Sequence, residues 1–479
     1  MKTTNRFVRW LSAAFLVTSI GTVARDASAD DFADYSTRPT FALKPPVTTT
    51  PGFGTLYGTF SSKTDVVVDG YTLKGRIFAV DGGTIWLQKN YGASVWVKIA
   101  SSARHMDPSF ARVTPDGKTF AIGTQSGSPI FIGATSLFSV KSPPELSTVT
   151  GVKSVIAQFY DGVWRDNRYL FINAGAANGS TVYAIDASLA DPASAFIPIL
   201  PDIPGASSGL AFDKSGNFIT GNGYTYAGDV SRTGQLKIWS AADIAAALAG
   251  TPLSYLNSGH VLADSILSAA YLGVDANNNL YVGGGGRFDT GDVGYAGLVS
   301  GTVITRVLAG GAPVNKASST EYTEIAPDPC RNDDTTQVTY VEELKMAIVT
   351  AKMTSKPPNC AEFDDYDDPT NTAVQLYFAP DAPDTDGDGI PDGADNAWLT
   401  PNPDQTDSDG DGFGDVADAD FNNDDVVDDK DLSIFVDTYL ATKTDPNFDA
   451  RPDFDGNGKI DDADYAVFLK YWGKAAPFY

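Results

Sequence analysis

From about residue 55 to 379 the chain is a succession of short runs in which β-branched and aromatic residues alternate with polar ones, broken at close intervals by Gly, Asp, Asn and Ser. A period of two with frequent turn residues predicts strands joined by tight turns. The runs also rhyme. LAFDKSGNFITG at 210 to 221 matches LGVDANNNLYVG at 272 to 283, and VTPDGKTFAIG at 113 to 123 is a close variant. Each reads as a strand, a turn and a returning strand. A second rhyme, GRIFAVD at 75 to 81, STVYAID at 180 to 186 and GQLKIWS at 234 to 240, has offsets of 105 and 54. Together they predict a unit near 50 residues, hence a mainly β fold of six or seven blades of a β-propeller over residues 55–380. A pair of β-sandwiches fits the strand density but not the rhyme. One helix interrupts, capped by Ser240, running from Ala241 to Ala249 and ended by Gly250, as a decoration outside a blade. TAVQLYFA at 372 to 379 falls late enough to close the ring.

Past Ala379 the pattern changes from alternation to short acidic side chains at fixed spacing. Calcium takes six to eight oxygens, and a loop supplies them when positions 1, 3 and 5 point inward, position 7 gives its carbonyl and a carboxylate closes the shell at 12. DFNNDDVVDDKD offers Asp420, Asn422, Asp424, the Val426 carbonyl and Asp431. DFDGNGKIDDAD offers Asp453, Asp455, Asn457, the Lys459 carbonyl and Asp464, each 33 residues on. Position 8 is Val427 or Ile460, expected to pair the loops. Each loop runs into an amphipathic helix with Leu432, Phe435, Val436 and Tyr439, or Tyr465, Phe468, Leu469 and Trp472, on one face. Upstream, a second duplication has an offset of 23. Its first copy offers Asp384, Asp386, Asp388, the Ile390 carbonyl, Asp392 and Asp395, and its second Asp407, Asp409, Asp411, the Phe413 carbonyl, Asp415 and Asp418. Position 8 is Pro391 or Gly414 there, so no helix follows. The four ligand sets predict about four calcium ions.

The loop–helix pair over 419–475 resembles a type I dockerin, an α-helical, paired EF-hand-like module. The resemblance implies two of the calcium ions and docking onto a cohesin-like or other surface protein. The family's partner-choosing positions 10 and 11 fall on Asp429 and Lys430, and on Asp462 and Ala463, where cellulosomal dockerins commonly carry a Ser/Thr pair. Position 6 of the first loop is Asp425 where glycine is usual. Residues 381–418 resemble thrombospondin type 3 repeats, in which an irregular chain with little core winds around calcium. The family's cysteines are replaced by Ala397 and Ala417, so calcium alone is expected to hold this segment as a stalk. The rhymes of the β region resemble NHL- and SMP-30-like propellers.

Charge sharpens this division. Residues 381 to 479 hold 26 Asp, no Glu and six Lys or Arg, a net of −20 out of −26 for the chain, so the acidity belongs to metal ligation. It argues against nucleic acid or an anionic membrane as partner. Lys2, Arg6 and Arg9 precede an apolar run from Trp10 to Ile20 and then Ala27-Ser28-Ala29, a secretory signal peptide over 1–29. No later run is long enough to span a bilayer. Residues 30–54 read as a Pro- and Thr-rich linker and 476–479 as a tail. The expected location is therefore secreted, at the cell surface or in a periplasm. Cys330 and Cys360 are expected to form a disulfide, two free thiols being the alternative.

Candidate chemistry in the β region is sparse. Gly205 to Gly209 fits the letters of a nucleophile elbow, but a strand follows instead of a helix, so a plain turn is expected. His105 and His260 are too few for a histidine metal centre, and Gly283 to Gly286 reads as a tight blade turn. Glu362, Asp364, Asp365, Asp367 and Asp368 read as a solvated loop, with one further calcium as the alternative. Two functions follow. The preferred one is non-catalytic: a propeller that binds a protein or glycan, carried on a calcium-stiffened stalk and a docking module. The other is an extracellular polysaccharide hydrolase or lyase, which paired carboxylates facing the propeller channel would favour.

Overall fold

The computed structural model describes residues 56–475 except 61–62, 92–94, 104–107, 125–128, 157–158, 177–178, 205–208, 223–233, 265, 267–268, 285–294, 316–320, 326–333 and 353–371. The signal peptide, the linker, Cys330 and Cys360, His105 and the Glu362 to Asp368 cluster lie outside the described residues.

The alternating runs fold as six antiparallel sheets in chain order. In the first, β1 (Leu56–Thr59) leads through a short ribbon, β2 (Val67–Val68) and β3 (Tyr71–Thr72), to β4 (Ile77–Asp81), β5 (Thr84–Gln88) and β6 (Trp96–Ser101), paired as β1-β4-β5-β6. Blade 2 is β7 (Pro108–Val113), β8 (Thr119–Thr124), β9 (Pro129–Ala134) and β10 (Lys153–Ile156). Blade 3 is β11 (Phe159–Trp164), β12 (Tyr169–Ala176), β13 (Gly179–Asp186) and β14 (Phe196–Ile203). Blade 4 is β15 (Leu210–Phe212), β16 (Phe218–Gly221), β17 (Gln235–Trp239) and β18 (His260–Asp264). Blade 5 is β19 (Ala269–Val274), β20 (Leu280–Gly284), β21 (Tyr295–Val299) and, after β22 (Val314–Asn315) pairs in parallel with β18, β23 (Tyr322–Glu324). Blade 6 is β24 (Asp334–Val341), β25 (Met346–Lys352) and β26 (Thr372–Phe378).

The first strand of each blade lies beside the first strand of the next, from β1 through β7, β11, β15, β19 and β24 and back to β1, which makes the ring of a six-bladed propeller. Each gap between blades holds its own apolar core. Phe60, Phe78, Phe120 and Phe131 fill the first, and Ile77, Trp96, Met346 and Phe378 fill the last, between blades 6 and 1. The first rhyme maps onto the opening hairpins of blades 2, 4 and 5. The second does not keep one place in the blade: GRIFAVD ends in a second strand, β4, while STVYAID and GQLKIWS end in third strands, β13 and β17. TAVQLYFA is the outer strand of the last blade and does not itself close the ring; the ring closes where β24 meets β1. Gly283 and Gly284 continue β20 and are not a turn.

Helix α1 (Ala241–Leu248) carries the expected cap, with Ser240 and Asp243 in a reciprocal capping box, and packs Ile244 and Ala247 into the core between blades 3 and 4. A second helix, α2 (Gly301–Leu308), occupies the same place in blade 5 and was not expected. Both are held the same way. Asp213 takes the amide and side-chain amide of Asn217, whose Oδ1 accepts from Ala241 N at 2.9 Å. Asp275 takes the same groups of Asn279, whose Oδ1 accepts from Gly301 N at 2.9 Å.

After β26 come two irregular acidic loops and two loop–helix units, with α3 (Asp429–Thr438) and α4 (Asp462–Tyr471). Val427 and Ile460 do not pair with each other. Each pairs with the segment after the other unit's helix: Val427 N donates to Lys474 O, and Ile460 N donates to Ala441 O. Exchange in both directions locks the two units together. Their core is Phe435 and Phe468 with Phe413, Phe421, Val427, Phe454 and Ile460. Of the predicted helix faces only Phe435 and Phe468 are fully buried; Leu432 packs at the core's edge, and Val436, Tyr439, Tyr465, Leu469 and Trp472 are exposed.

The first two acidic loops are not a coreless stalk held by metal alone. Ala394, Ala397, Phe413 and Ala417 are buried, Ala394 in the core that closes the propeller. The alanines that replace the expected cysteines are filling space.

Candidate metal centres

The first acidic loop organises itself by turning carboxylates onto its own amides. Asp384 accepts from Gly387 N at 2.8 Å and Gly389 N at 3.0 Å, Asp386 from Asp388 N, and Asp388 from Ile390 N. The second repeats this bond for bond: Asp407 with Gly410 N and Gly412 N, Asp409 with Asp411 N, Asp411 with Phe413 N. Such tight wrapping needs left-handed backbone at positions 4 and 6. Gly387, Gly389, Gly410, Gly412, Gly456 and Gly458 supply it, and Asn423 and Asp425 adopt it at φ of 58° and 67°. The glycine missing at position 425 is thus tolerated at the expected left-handed angle.

In three of the four loops the carboxylates converge. Asp384, Asp386 and Asp388, then Asp407, Asp409 and Asp411, then Asp453, Asp455 and Asp464 each bring one oxygen within 4.8 Å of the others. Asp386 Oδ2, Asp395 Oδ2 and Asp453 Oδ1 are buried without a hydrogen-bond partner. Buried carboxylate oxygens with no donor are costly, and a divalent cation satisfies them. Burial, then the neighbouring Asp386 and Asp388 charges against hydrogen bonds from Gln405 and Ala397, push the Asp395 carboxyl up to about 6. Burial pushes Asp420 to about 6 as well, and burial with Asp411 raises Asp418 well above the ordinary range. These carboxylates suit a calcium site.

Other expected ligands are placed differently. Asp392 spends both oxygens on Thr385, its amide and its hydroxyl each at 2.7 Å, and Asp415 does the same with Ser408. They clamp the loops shut. In the third loop Asp420 accepts from Asp424 N and Asp425 N and Asp431 from Asn422 N and Asp428 N, but the Asp424 carboxylate is ion-paired with Lys430. Val426 bridges to Ala475 and Lys459 to Thr442, at the seventh positions of their loops.

Asp429, Lys430, Asp462 and Ala463 are exposed at the starts of α3 and α4. Lys430 turns back onto its own loop, and Asp462 accepts from the Tyr439 hydroxyl of the other unit at 2.5 Å. Around them Val436, Tyr439, Leu440, Tyr465, Leu469 and Trp472, each 37% exposed or more, form the apolar surface of the pair.

A cation that the sequence did not point to meets the second loop. Lys89, just after β5, reaches Asp411 Oδ2 at 2.7 Å and Asp425 Oδ1 at 3.4 Å and lies over the Phe413 ring at 5.2 Å. Burial works against its charge, but Asp411 and Asp425 outweigh it and hold the ammonium protonated above its ordinary value. Arg451 lies 3.6 Å from Asp409 on the same loop. Within the propeller, Asp161 is buried where three blades meet. Its Oδ1 takes Gly162 N and Arg112 Nη2, and its Oδ2 takes Leu210 N at 2.8 Å. With both oxygens engaged it is a structural staple.

No family model and no curated protein matches the chain. Among solved structures it is similar to a luciferin-regenerating enzyme (12% identity, TM-score 0.40, 68% of this chain and 91% of that one). It is also similar to a Trichoderma reesei carbohydrate-active enzyme of family AA12 in a calcium structure (15%, 0.41, 68% and 96%). A third is the calcium-binding protein regucalcin of Agrobacterium tumefaciens (12%, 0.36, 69% and 94%).

Proposed function

We propose that this is a secreted calcium-binding protein in which a six-bladed propeller, serving as a binding domain for a protein or glycan, is joined through calcium loops to a dockerin-like docking module. The observation that carries the reading is the convergence of three carboxylate trios, two of them with buried oxygens that no protein donor satisfies. Calcium bound there supplies the missing partner and draws the loop oxygens into one shell. Asp384, Asp386, Asp388 and Asp395 hold one ion, Asp407, Asp409, Asp411 and Asp418 a second, and Asp453, Asp455, Asn457 and Asp464 a third. Asp420, Asn422 and Asp431 hold a fourth more weakly, because Asp424 is turned onto Lys430 and, among the described residues, no carboxylate trio converges in that loop.

Export supports the reading, since calcium is available outside the cell and residues 1–29 have the pattern of a signal peptide. No helix among the described residues is long and apolar enough to cross a membrane. The exposed apolar surface of α3 and α4 is the docking face for a cohesin-like or other surface protein. Calorimetric titration of the whole chain with calcium tests the reading: three tight sites and one weaker are expected, and Lys430→Ala should tighten the weaker one a few-fold. Uptake of one ion or none would sink it.

A further inference from the structure

The propeller ring closes between blades 6 and 1, where β24 meets β1. All described strands of blade 1 come from residues 56–101 and all of blade 6 from 334–378, so among the described residues no strand is shared between the first and last blades. Among the described residues, side-by-side packing of β1 on β24 and the core of Ile77, Trp86, Trp96, Met346 and Phe378 join them. The acidic loops lie across that joint. On the blade 6 side, Lys345 pairs with Asp381 and Ala394 enters the closure core. A Cβ at Gly393 would sit 3.0 Å from the Phe378 ring and 3.2 Å from Met346 Sδ, so the turn is pressed flat on that blade. On the blade 1 side, Asn90, fully buried, donates from Nδ2 to Asn396 O at 2.8 Å and Gly412 O at 3.2 Å, and Tyr91 meets Trp398 edge to face.

Lys89 completes the joint in a telling way. In the first loop the second oxygen of the position-5 carboxylate, Asp388 Oδ2, is fixed by Asn402 N at 2.8 Å. In the second loop the equivalent oxygen, Asp411 Oδ2, is fixed by Lys89 Nζ from the propeller. A blade residue thus takes the place that a backbone amide takes in the sister loop. The two loops are also bonded to each other, since Asn396 O accepts from Gly414 N as well as from Asn90.

We propose that the first two acidic loops form a calcium-set clasp that closes the propeller ring, gripping blade 6 through Gly393 and Ala394 and blade 1 through Lys89 and Asn90. The clasp rests on the calcium reading above: the ion fixes the loops, and the fixed loops hold the two blades together. Anything that binds the closed ring but not the opened one stabilises it by mass action.

The test uses the whole chain. Tryptophan fluorescence follows the closure, where Trp86 and Trp96 are buried, during heating in calcium or in chelator, with calcium uptake measured on the same preparation. Calcium is expected to raise the propeller transition by about 5 °C or more. Lys89→Met with Asn90→Ala should cut that rise by at least half, and Lys89→Arg should restore most of it in the presence of Asn90. Hydrogen exchange of β1 and β24 in the unmodified chain, faster in chelator, gives the same answer if the double variant does not fold. Calcium uptake with an indifferent transition and unchanged exchange overturns the clasp and leaves the calcium reading standing. No uptake overturns both.

Discussion

Asp161 shows how one buried group ties the ring together and what that tie costs. It joins β11 to Arg112 on β7 and to the amide of Leu210 on β15, so three blades share one carboxylate. Burial pushes its carboxyl up to about 6 against the pull of Arg112 and the two amides. Between the ordinary value of 3.8 and about 6 the folded protein keeps a proton that the unfolded chain has lost. Stability contributed by this group is therefore present at low pH and lost as pH rises through about 6, by roughly 3 kcal/mol. Asp161→Asn cannot ionise and should remove that fall, at a lower baseline because the amide offers one acceptor where two are needed. Urea unfolding at pH 4.5 and 7 in saturating calcium measures it; equal pH slopes in the two proteins would reject the assignment. No local pattern in the sequence marks Asp161, because its partners lie 49 residues away on either side.

At the scale of elements, legibility follows whether the constraint is local. The four loops could be read because a metal site demands particular side chains at particular intervals, and α1 because Ser240 and Asp243 cap it within one turn. Helix α2 could not. Thr302, Val303, Ile304, Thr305 and Val307 give it the composition of a strand. The helix forms because Asn279, in a turn 22 residues earlier, accepts from Gly301 N, and because a glycine fits there: a Cβ would lie 2.7 Å from Asn277 O. The recurrence of Asp213 with Asn217 and Asp275 with Asn279 inside the first rhyme was the available signal, but its target is an amide in another element. Asn279→Ala should leave a helix N-terminal amide unpaired and the Asp275 Oδ2 atom with only the longer bond from the Tyr281 hydroxyl at 3.4 Å, lowering stability by about 2 kcal/mol. Asn217→Ala should act in the same direction at α1. Chemical denaturation of both variants decides this, and a loss under about 0.5 kcal/mol at Asn279 would show that the turn does not anchor the helix.

For the whole molecule, the periodic repeats foretold a propeller followed by an acidic segment, but not that the two are packed together. Lys89 and Asp411 are 322 residues apart, and a lysine at the end of a strand reads as solvated. The docked arrangement changes what calcium removal should do. A free stalk would swing and give a large average size whether or not its loops were filled. Loops buried against blades 1 and 6 should instead keep the calcium-loaded chain near the compact radius of gyration of about 23 Å expected for a chain of 479 residues. Without calcium, the segment's net charge of −20 repels itself, and the apolar residues of the first two loops, Ala394, Ala397, Phe413 and Ala417, are too few to offset the entropy of ordering them. The paired helices have the larger core around Phe435 and Phe468 and should let go last. Small-angle scattering across a chelator titration is therefore expected to show a compact particle that expands as calcium is removed, with helix content by circular dichroism falling later than the expansion. An already expanded particle in saturating calcium would mean that the acidic segment does not rest on the propeller in solution. Helices lost before expansion would reverse the order that the two cores dictate.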